Sequence, residues 1–268
     1  TNEVPIRLGF FFGIFAVMAV WEMVSPRRHL RTSKAIRWSN NLGLVFFNSF
    51  VLRLLFPAAA VGMAVFASEQ GWGLFNYMVA PFWVAVLASV VIMDFFIWLQ
   101  HVMVHAVPVL WRLHRVHHAD LDFDVTTGAR FHTLEILLSM LIKFAVIMLL
   151  GPPLVAVLVF EVVLNATAMF NHSNVRMPVG LDRLLRLVVV TPDMHRVHHS
   201  VEDDETNSNF GFNLPWWDRL LGTYVAQPSK GHQGMEIGLE QFRTRRDLWL
   251  DRMLVQPLRG PASGHALD

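Results

Sequence analysis

The chain has 268 residues, of which 54% are apolar and only 16% charged, and its formal net charge is +1. Soluble domains carry about 25% charged residues, so this composition excludes a disordered chain, argues against a soluble enzyme and points to an integral membrane protein; near neutrality leaves no polybasic surface for nucleic acid. Cysteine is absent, which excludes disulfides, Cys-ligated zinc, iron–sulfur clusters and thiol nucleophiles.

The first apolar run, Leu8 to Val24, is long enough to span a bilayer. No small-residue cleavage site follows it, so it reads as an anchor rather than a cleaved signal. Arg27, Arg28, Arg31, Lys34 and Arg37 follow without an acid. Leu42 to Ala67 is the second expected span, interrupted by Arg53 and Pro57, and Tyr77 to Leu99 the third. Leu134 to Phe170 is too long for one helix and is broken by Gly151-Pro152-Pro153, which predicts a helical hairpin. From Asn171 onward the chain is polar and has no further span.

Five Lys/Arg between Ser25 and Asn40 against none between Ser68 and Asn76 place the basic loop in the cytosol by the positive-inside asymmetry. The third span then ends on the cytosolic side, and the hairpin leaves from that side and returns to it. The expected fold class is all-α: an integral membrane helical bundle of three spans plus a hairpin, with a cytosolic histidine-rich cap. Residues 1–76 form the N-terminal spans and basic loop, 77–225 the catalytic region and 226–268 a cytosolic tail.

Thirteen histidines remain, and eight fall in three clusters: His101 and His105; His114, His117 and His118; His195, His198 and His199. Residues at i, i+3 and i+4 project from one helix face, so each cluster presents its imidazoles in one direction. As surface residues, eight clustered imidazoliums would repel; as neutral rings they ligate a metal. Eight ligands exceed the four of one zinc, which implies two ions, and all-nitrogen ligation suits iron, copper, nickel or zinc rather than calcium or magnesium.

The order of these clusters, the spans around them, and the stretch Asn209 to Tyr224 with Trp216-Trp217-Asp218-Arg219 resemble the fatty acid hydroxylase superfamily over roughly residues 80 to 225. That superfamily comprises integral membrane di-iron oxygenases such as sterol desaturases, sphingolipid and fatty acid hydroxylases and alkylglycerol monooxygenases. The resemblance implies that His101, His105, His114, His117, His118, His195, His198 and His199 hold two iron ions, with zinc possible in the purified protein. It further implies that O2 hydroxylates or desaturates a lipid C–H bond. Val102 stands where many members have Arg. His172, where the hairpin returns, matches a position at which the family commonly has histidine. His132, in Arg130-Phe-His-Thr-Leu-Glu135, resembles a His-Pro-x-Glu element with Thr133 in place of the proline. Both are included as metal ligands.

Asp94 shares a helix stripe with Trp98, His101 and His105, and Glu161 and Asn165 share one with His172. Polar groups in a span are costly, so Asp94, Glu161 and Asn165 are expected to pair between helices or to line the substrate path. Asp120, Asp122 and Asp124 read as a solvated loop, and His29, His232 and His265 as surface residues. The chain has no flavin or nicotinamide loop, so electrons are expected from a separate partner, a cytochrome b5 or a ferredoxin with its reductase; the resemblance of Thr191 to His199 to alkylglycerol-type members implies a pterin as the alternative donor. The competing classes are a metal transporter or storage protein, whose histidines would line several spans, and a zinc hydrolase, which needs far fewer.

Overall fold

The structure is a computed structural model that describes residues 3–263; His265 lies outside the described residues. The chain is all-helical, and among the described residues there is no strand, only isolated bridges at Pro26–Val175 and Ser200–Ile237. The chain begins with α1 (Glu3–Val24), α2 (Lys34–Leu55), α3 (Ala59–Glu69), the single-turn α4 (Leu74–Tyr77) and α5 (Phe82–Ala106). Then come α6 (Pro108–His118), α7 (Thr133–Leu150) and α8 (Leu154–Asn171), followed by the short helices α9 (Val179–Leu185), α10 (Pro192–His198), α11 (Asp203–Thr206), α12 (Trp216–Leu221), α13 (Gly231–Gly234) and α14 (Leu250–Val255).

Five segments are long and apolar enough to cross a membrane: Val4–Val24, Lys34–Tyr77, Phe82–Ala106, Thr133–Leu150 and Leu154–Asn171. They match the three expected spans and the hairpin. Their outer faces expose Phe10, Phe12, Phe46, Phe50, Leu87 and Leu149, which suits hydrocarbon as solvent and helices as the only open-ended structure satisfying every backbone group there. Two boundaries differ from the sequence reading. The second span begins at Lys34, inside the basic stretch, and breaks at Phe56-Pro57 into α2 and α3, since proline has no N–H to continue the ladder. The third span starts only after Pro81 and runs on to Ala106, so His101 and His105 ride on its final turns.

Small residues set the packing. Ala60, Val61 and Ala64 of α3 bury against Met93 of α5, Ile147 of α7 and Val157 and Phe160 of α8, because alanine lets helix axes approach closely. The α7–α8 hairpin closes on Gly151, whose φ of +56° is the left-handed conformation that glycine adopts without strain. Gly73 packs directly on it: a Cβ there would lie 2.1 Å from the Gly151 nitrogen.

The aspartates after α6 are buried, which corrects the solvated-loop expectation. Arg37 of α2 is fully buried, and its Nε donates to Asp120 Oδ1 at 2.6 Å while Nη1 donates to Asp124. Asp122 Oδ2 accepts from the Arg31 and Thr32 backbone N–H groups. The basic stretch and the aspartates thus neutralise each other, and the Arg37 guanidinium holds the Asp120 carboxyl down at about 2 against the cost of its burial. The C-terminal segment is also anchored. Leu44, Val116 and Met253 form a small core, and Arg115 donates to the Gln256 carbonyl at 3.1 Å.

Candidate metal centre

Short elements bring the histidine clusters together. Pro108 at the first position of α6 turns the chain back along α5, which sets His114 Nε2 at 3.1 Å from His101 Nε2 and His118 Nε2 at 3.1 Å from His105 Nε2. Thr191 caps α10, and Pro192 opens it, so His195, His198 and His199 enter from the opposite side. His172 follows α8 directly, with its Nε2 at 3.1 Å from His117 Nε2 and 3.0 Å from His195 Nε2.

The nine rings form two groups, each with ring nitrogens within 4.8 Å of one another: His101, His105, His114, His118 and His198; and His117, His172, His195 and His199. All nine are buried. Several are oriented from behind. His101 Nδ1 faces the Phe210 carbonyl at 2.8 Å, His198 Nδ1 the Ser208 carbonyl at 2.7 Å, and His172 Nδ1 the Ala168 carbonyl at 2.8 Å. His105 Nδ1 lies 3.2 Å from Asn207 Oδ1, and His114 Nδ1 lies 2.6 Å from Glu135 Oε1. A carbonyl or carboxylate only accepts, so each of these Nδ1 atoms carries the hydrogen and leaves a lone pair on Nε2.

That assignment decides what the centre can hold. The Nε2 atoms of His101 and His114 face each other at 3.1 Å as two lone pairs, an arrangement that no hydrogen bond joins and a shared cation satisfies. His198 Nε2 and both nitrogens of His199 are buried without a hydrogen-bond partner among the described residues, orphaned atoms of the kind a metal would fill. Burial, followed by repulsion from neighbouring imidazoles, holds His117, His118, His195, His198 and His199 well below the ordinary 6.5, and burial takes His172 down to about 3. Neutral rings are the metal-binding form. The donor set therefore fits two transition-metal ions.

His132 stands outside both groups. Its Nδ1 accepts from the Leu134 N–H, capping α7, and its Nε2 lies 3.1 Å from the Leu254 carbonyl, so both nitrogens are used. The geometry does not support the expectation that it ligates a metal: capping turns the ring toward α14. His232 is buried, not at the surface, with Nε2 3.1 Å from Gln227 Oε1 and 3.5 Å from Asp193 Oδ2; its polar neighbours in sequence hid that packing. His29 is exposed as expected.

Two carboxylates that the sequence left unassigned complete the surroundings. Glu135 is the one on His114; its only sequence signal was its place three residues after His132. Asp218 accepts from Trp98 Nε1 at 2.9 Å and from the Phe210 and Gly211 N–H groups at 2.9 and 2.8 Å, and burial raises its carboxyl against those donors. Asp94 Oδ2 accepts from Trp217 Nε1 at 2.8 Å. Asp94 and Asp218 together pin the segment whose Phe210 carbonyl orients His101, and backbone acceptors of this kind leave no mark in a sequence.

A cavity of about 280 Å³ opens among α1, α2, α5, α7 and α8. Gly128, Phe131, Ala168 and Phe212 line the end nearest the histidines, and Phe131 stacks on His117 at 4.3 Å. Glu161, Asn165, Lys143 and Arg7 also line it. Glu161 pairs with Lys143 and with Arg7, the latter at 2.7 Å, and Asn165 donates to the Glu161 carbonyl at 2.7 Å. Glu161 thus makes interhelical ion pairs on the wall of this cavity.

The family model described as fatty acid hydroxylase matches residues 85–223, just over half of the chain. An ornithine lipid hydroxylase from Rhizobium tropici is 36% identical over 143 residues, 53% of this chain and 42% of that protein. Alkylglycerol monooxygenase from Xenopus tropicalis is 26% identical over 209 residues, 75% of this chain and 45% of that protein. Human cholesterol 25-hydroxylase is 29% identical over 132 residues, 49% and 47% of the two chains. The matched regions span less than half the length of each of these relatives. No solved structure matches the chain.

Proposed function

The chain belongs to the fatty acid hydroxylase family, and from that premise we propose that it is a membrane-embedded di-iron oxygenase that hydroxylates or desaturates a C–H bond of a lipid drawn from the bilayer, using O2 and external electrons. The observation that carries the reading is the pair of buried histidine groups with converging ring nitrogens at the end of a cavity between spanning helices. His101, His105, His114, His118 and His198 would hold one ion, and His117, His172, His195 and His199 the other. Iron bound there supplies the redox chemistry that activates O2 toward an unactivated C–H bond, and zinc would occupy the same imidazoles in a misloaded preparation.

The chain's own part is to position and exclude. The Phe210, Ser208 and Ala168 carbonyls and the Glu135 carboxylate fix ring orientation, which keeps Nε2 aimed inward before any metal arrives. Phe131 and Phe212 make the end of the cavity beside the rings apolar, which disfavours bulk water there. Glu161 and Asn165 line the substrate path farther from the rings. Lys143 lies eight residues beyond Glu135 on α7, about 12 Å along the axis, so a lipid filling the cavity would place a mid-chain carbon near the histidines.

Arg37 of the basic stretch pairs with Asp120 just after His117 and His118, and this shared end supports, by the positive-inside argument, a cytosolic face for the metal centre. Electrons reach it from a cytochrome b5, a ferredoxin with its reductase, or a pterin. Residues 77–225 carry the chemistry, 1–76 the first spans, and 226–268 the cytosolic tail, whose described part packs on α6 through Gln256. The test is metal analysis joined to an isotope assay. The iron-loaded protein should contain about two ions per chain and transfer one ¹⁸O atom from ¹⁸O₂ into a lipid hydroxyl, or yield a dehydrogenated lipid without label. A fully loaded protein with one ion, or lipid turnover that persists without O2, would refute the reading.

A further inference from the structure

Outside the cavity and the metal centre, one surface combines features that neither uses. α9 begins shortly after α8 leaves the membrane, and it lies beside α12. Trp216 Nε1 donates to the Leu187 carbonyl at 2.7 Å and Arg219 Nη2 to the Arg186 carbonyl at 3.1 Å, so the two segments form one ledge. Leu181, Leu184, Leu187, Val188, Leu220 and Leu221 are exposed along it. Its depth is fixed, because Trp217 and Asp218 bond Asp94 and Trp98 at the middle of the spanning helix α5. An exposed apolar ledge at that depth lies within the leaflet rather than in water.

Beside the ledge lies a groove of about 1080 Å³ whose walls carry Arg27, Arg176, Arg183, Arg186 and Arg219 against only two carboxylates, Asp182 and Asp193. Both carboxylates are taken. Arg27 Nε donates to Asp193 at 3.0 Å, and Arg186 Nε lies 2.7 Å from Asp182 Oδ2. Arg176, Arg183 and Arg219 have no carboxylate partner among the described residues, and the buried Nη2 of Arg186 has no acceptor. Arg186 Nη1 and Arg219 Nη2 each donate to a backbone carbonyl, and planar guanidiniums with further N–H groups left over are suited to a phosphate, which can take several paired N–H bonds at once.

We infer that this groove binds the phosphate of an anionic phospholipid from the same leaflet, with the acyl chains lying along the α9–α12 ledge. The site is distinct from the substrate cavity and rests only on the spanning reading, not on the oxygenase chemistry. The ledge is what favours a lipid over an acidic protein: a partner held by charge alone has no use for six exposed aliphatic side chains beside the arginines. Juxtamembrane arginines contribute additively to binding of anionic headgroups.

The test uses the intact detergent-solubilised protein, with tryptophan fluorescence and native mass spectrometry as readouts. Dioctanoyl phosphatidylglycerol should bind with a stoichiometry of one. Dioctanoyl phosphatidylcholine, glycerophosphoglycerol without chains, and inorganic phosphate should each bind at least roughly tenfold more weakly. Arg176→Gln with Arg183→Gln should weaken phosphatidylglycerol roughly thirtyfold with an unchanged thermal midpoint, while Arg245→Gln, exposed elsewhere, should have no effect. Should the double variant fail to fold, raising the salt to roughly 0.5 M should weaken phosphatidylglycerol binding to the unmodified protein. Equal affinity for phosphatidylcholine, equal affinity for the chainless headgroup, or full affinity in a folded double variant would overturn the site, whatever the protein's activity toward lipids.

Discussion

At the scale of single residues, the contacts behind the rings make the sharpest predictions. Glu135 accepts from His114 Nδ1 at 2.6 Å, so Glu135→Gln should weaken metal retention roughly 10- to 100-fold while the thermal midpoint of the metal-free protein stays close to its original value; chelator competition measures the first and calorimetry the second. His132→Ala should do the reverse. It removes the cap of α7, which costs about 1 kcal/mol, and should leave metal content unchanged. His232 supplies a pH test, because burial, opposed by Asp193 and assisted by Arg196, Arg27 and Arg186, lowers it to about 3. An unfolded histidine titrates near 6.5. Below that pH the unfolded chain binds the extra proton, so folding stability present above 6.5 is lost as pH falls toward 3. Wild type should therefore lose about 1 kcal/mol more per pH unit below 6 than His232→Gln, read as the difference between their unfolding curves. What was legible at this scale were clusters with helical spacing, since an i, i+3, i+4 pattern survives any tertiary arrangement. His132 and His232 were misread because a capping ring and a ring buried in a loop look in sequence like a ligand and a surface residue.

Among the helices, breaks were legible at Pro57 between α2 and α3 and at Gly151 between α7 and α8, but not at Pro81, since the third span was expected from Tyr77 and begins only at Phe82. The burial of Asp120, Asp122 and Asp124 was not, because their partner Arg37 lies more than eighty residues earlier in the chain. Breaking that network by Arg37→Ala should cost about 3–5 kcal/mol, since it leaves buried carboxylates unpaired; the same denaturation measurement reports it. A second prediction joins turn and site. A Cβ at Gly128 would lie 2.5 Å from the Ala168 carbonyl and 3.0 Å from His172 Nδ1. Gly128→Ala should therefore displace α8 and turn the His172 ring, and metal should be lost from the group containing His117, His172, His195 and His199 before the other. Metal analysis near one equivalent would show it, and loss of both ions together would contradict it.

For the molecule as a whole, the five candidate spans were readable because apolar run length is a property of the chain alone. The absence of cysteine makes sidedness simple to measure. Single cysteines at Ser33 and Ser229, both exposed, should resist an impermeant thiol reagent in intact cells, while one at Ser68 should react; labelling at Ser33 and Ser229 on opposite faces would contradict a single metal-bearing side. The segment from Asn207 to Asp218 has a consequence in time. The groups that aim His101, His105 and His198 come from Phe210, Asn207 and Ser208, which leave the ribosome long after the α5 span and α6 have been made. A nascent chain arrested before that segment therefore carries all nine rings of the two groups with nothing aiming His101, His105 and His198, and it should bind a transition metal more weakly than the finished protein. Metal loading is then a late step of biosynthesis, one that waits for the last orienting carbonyls to be made.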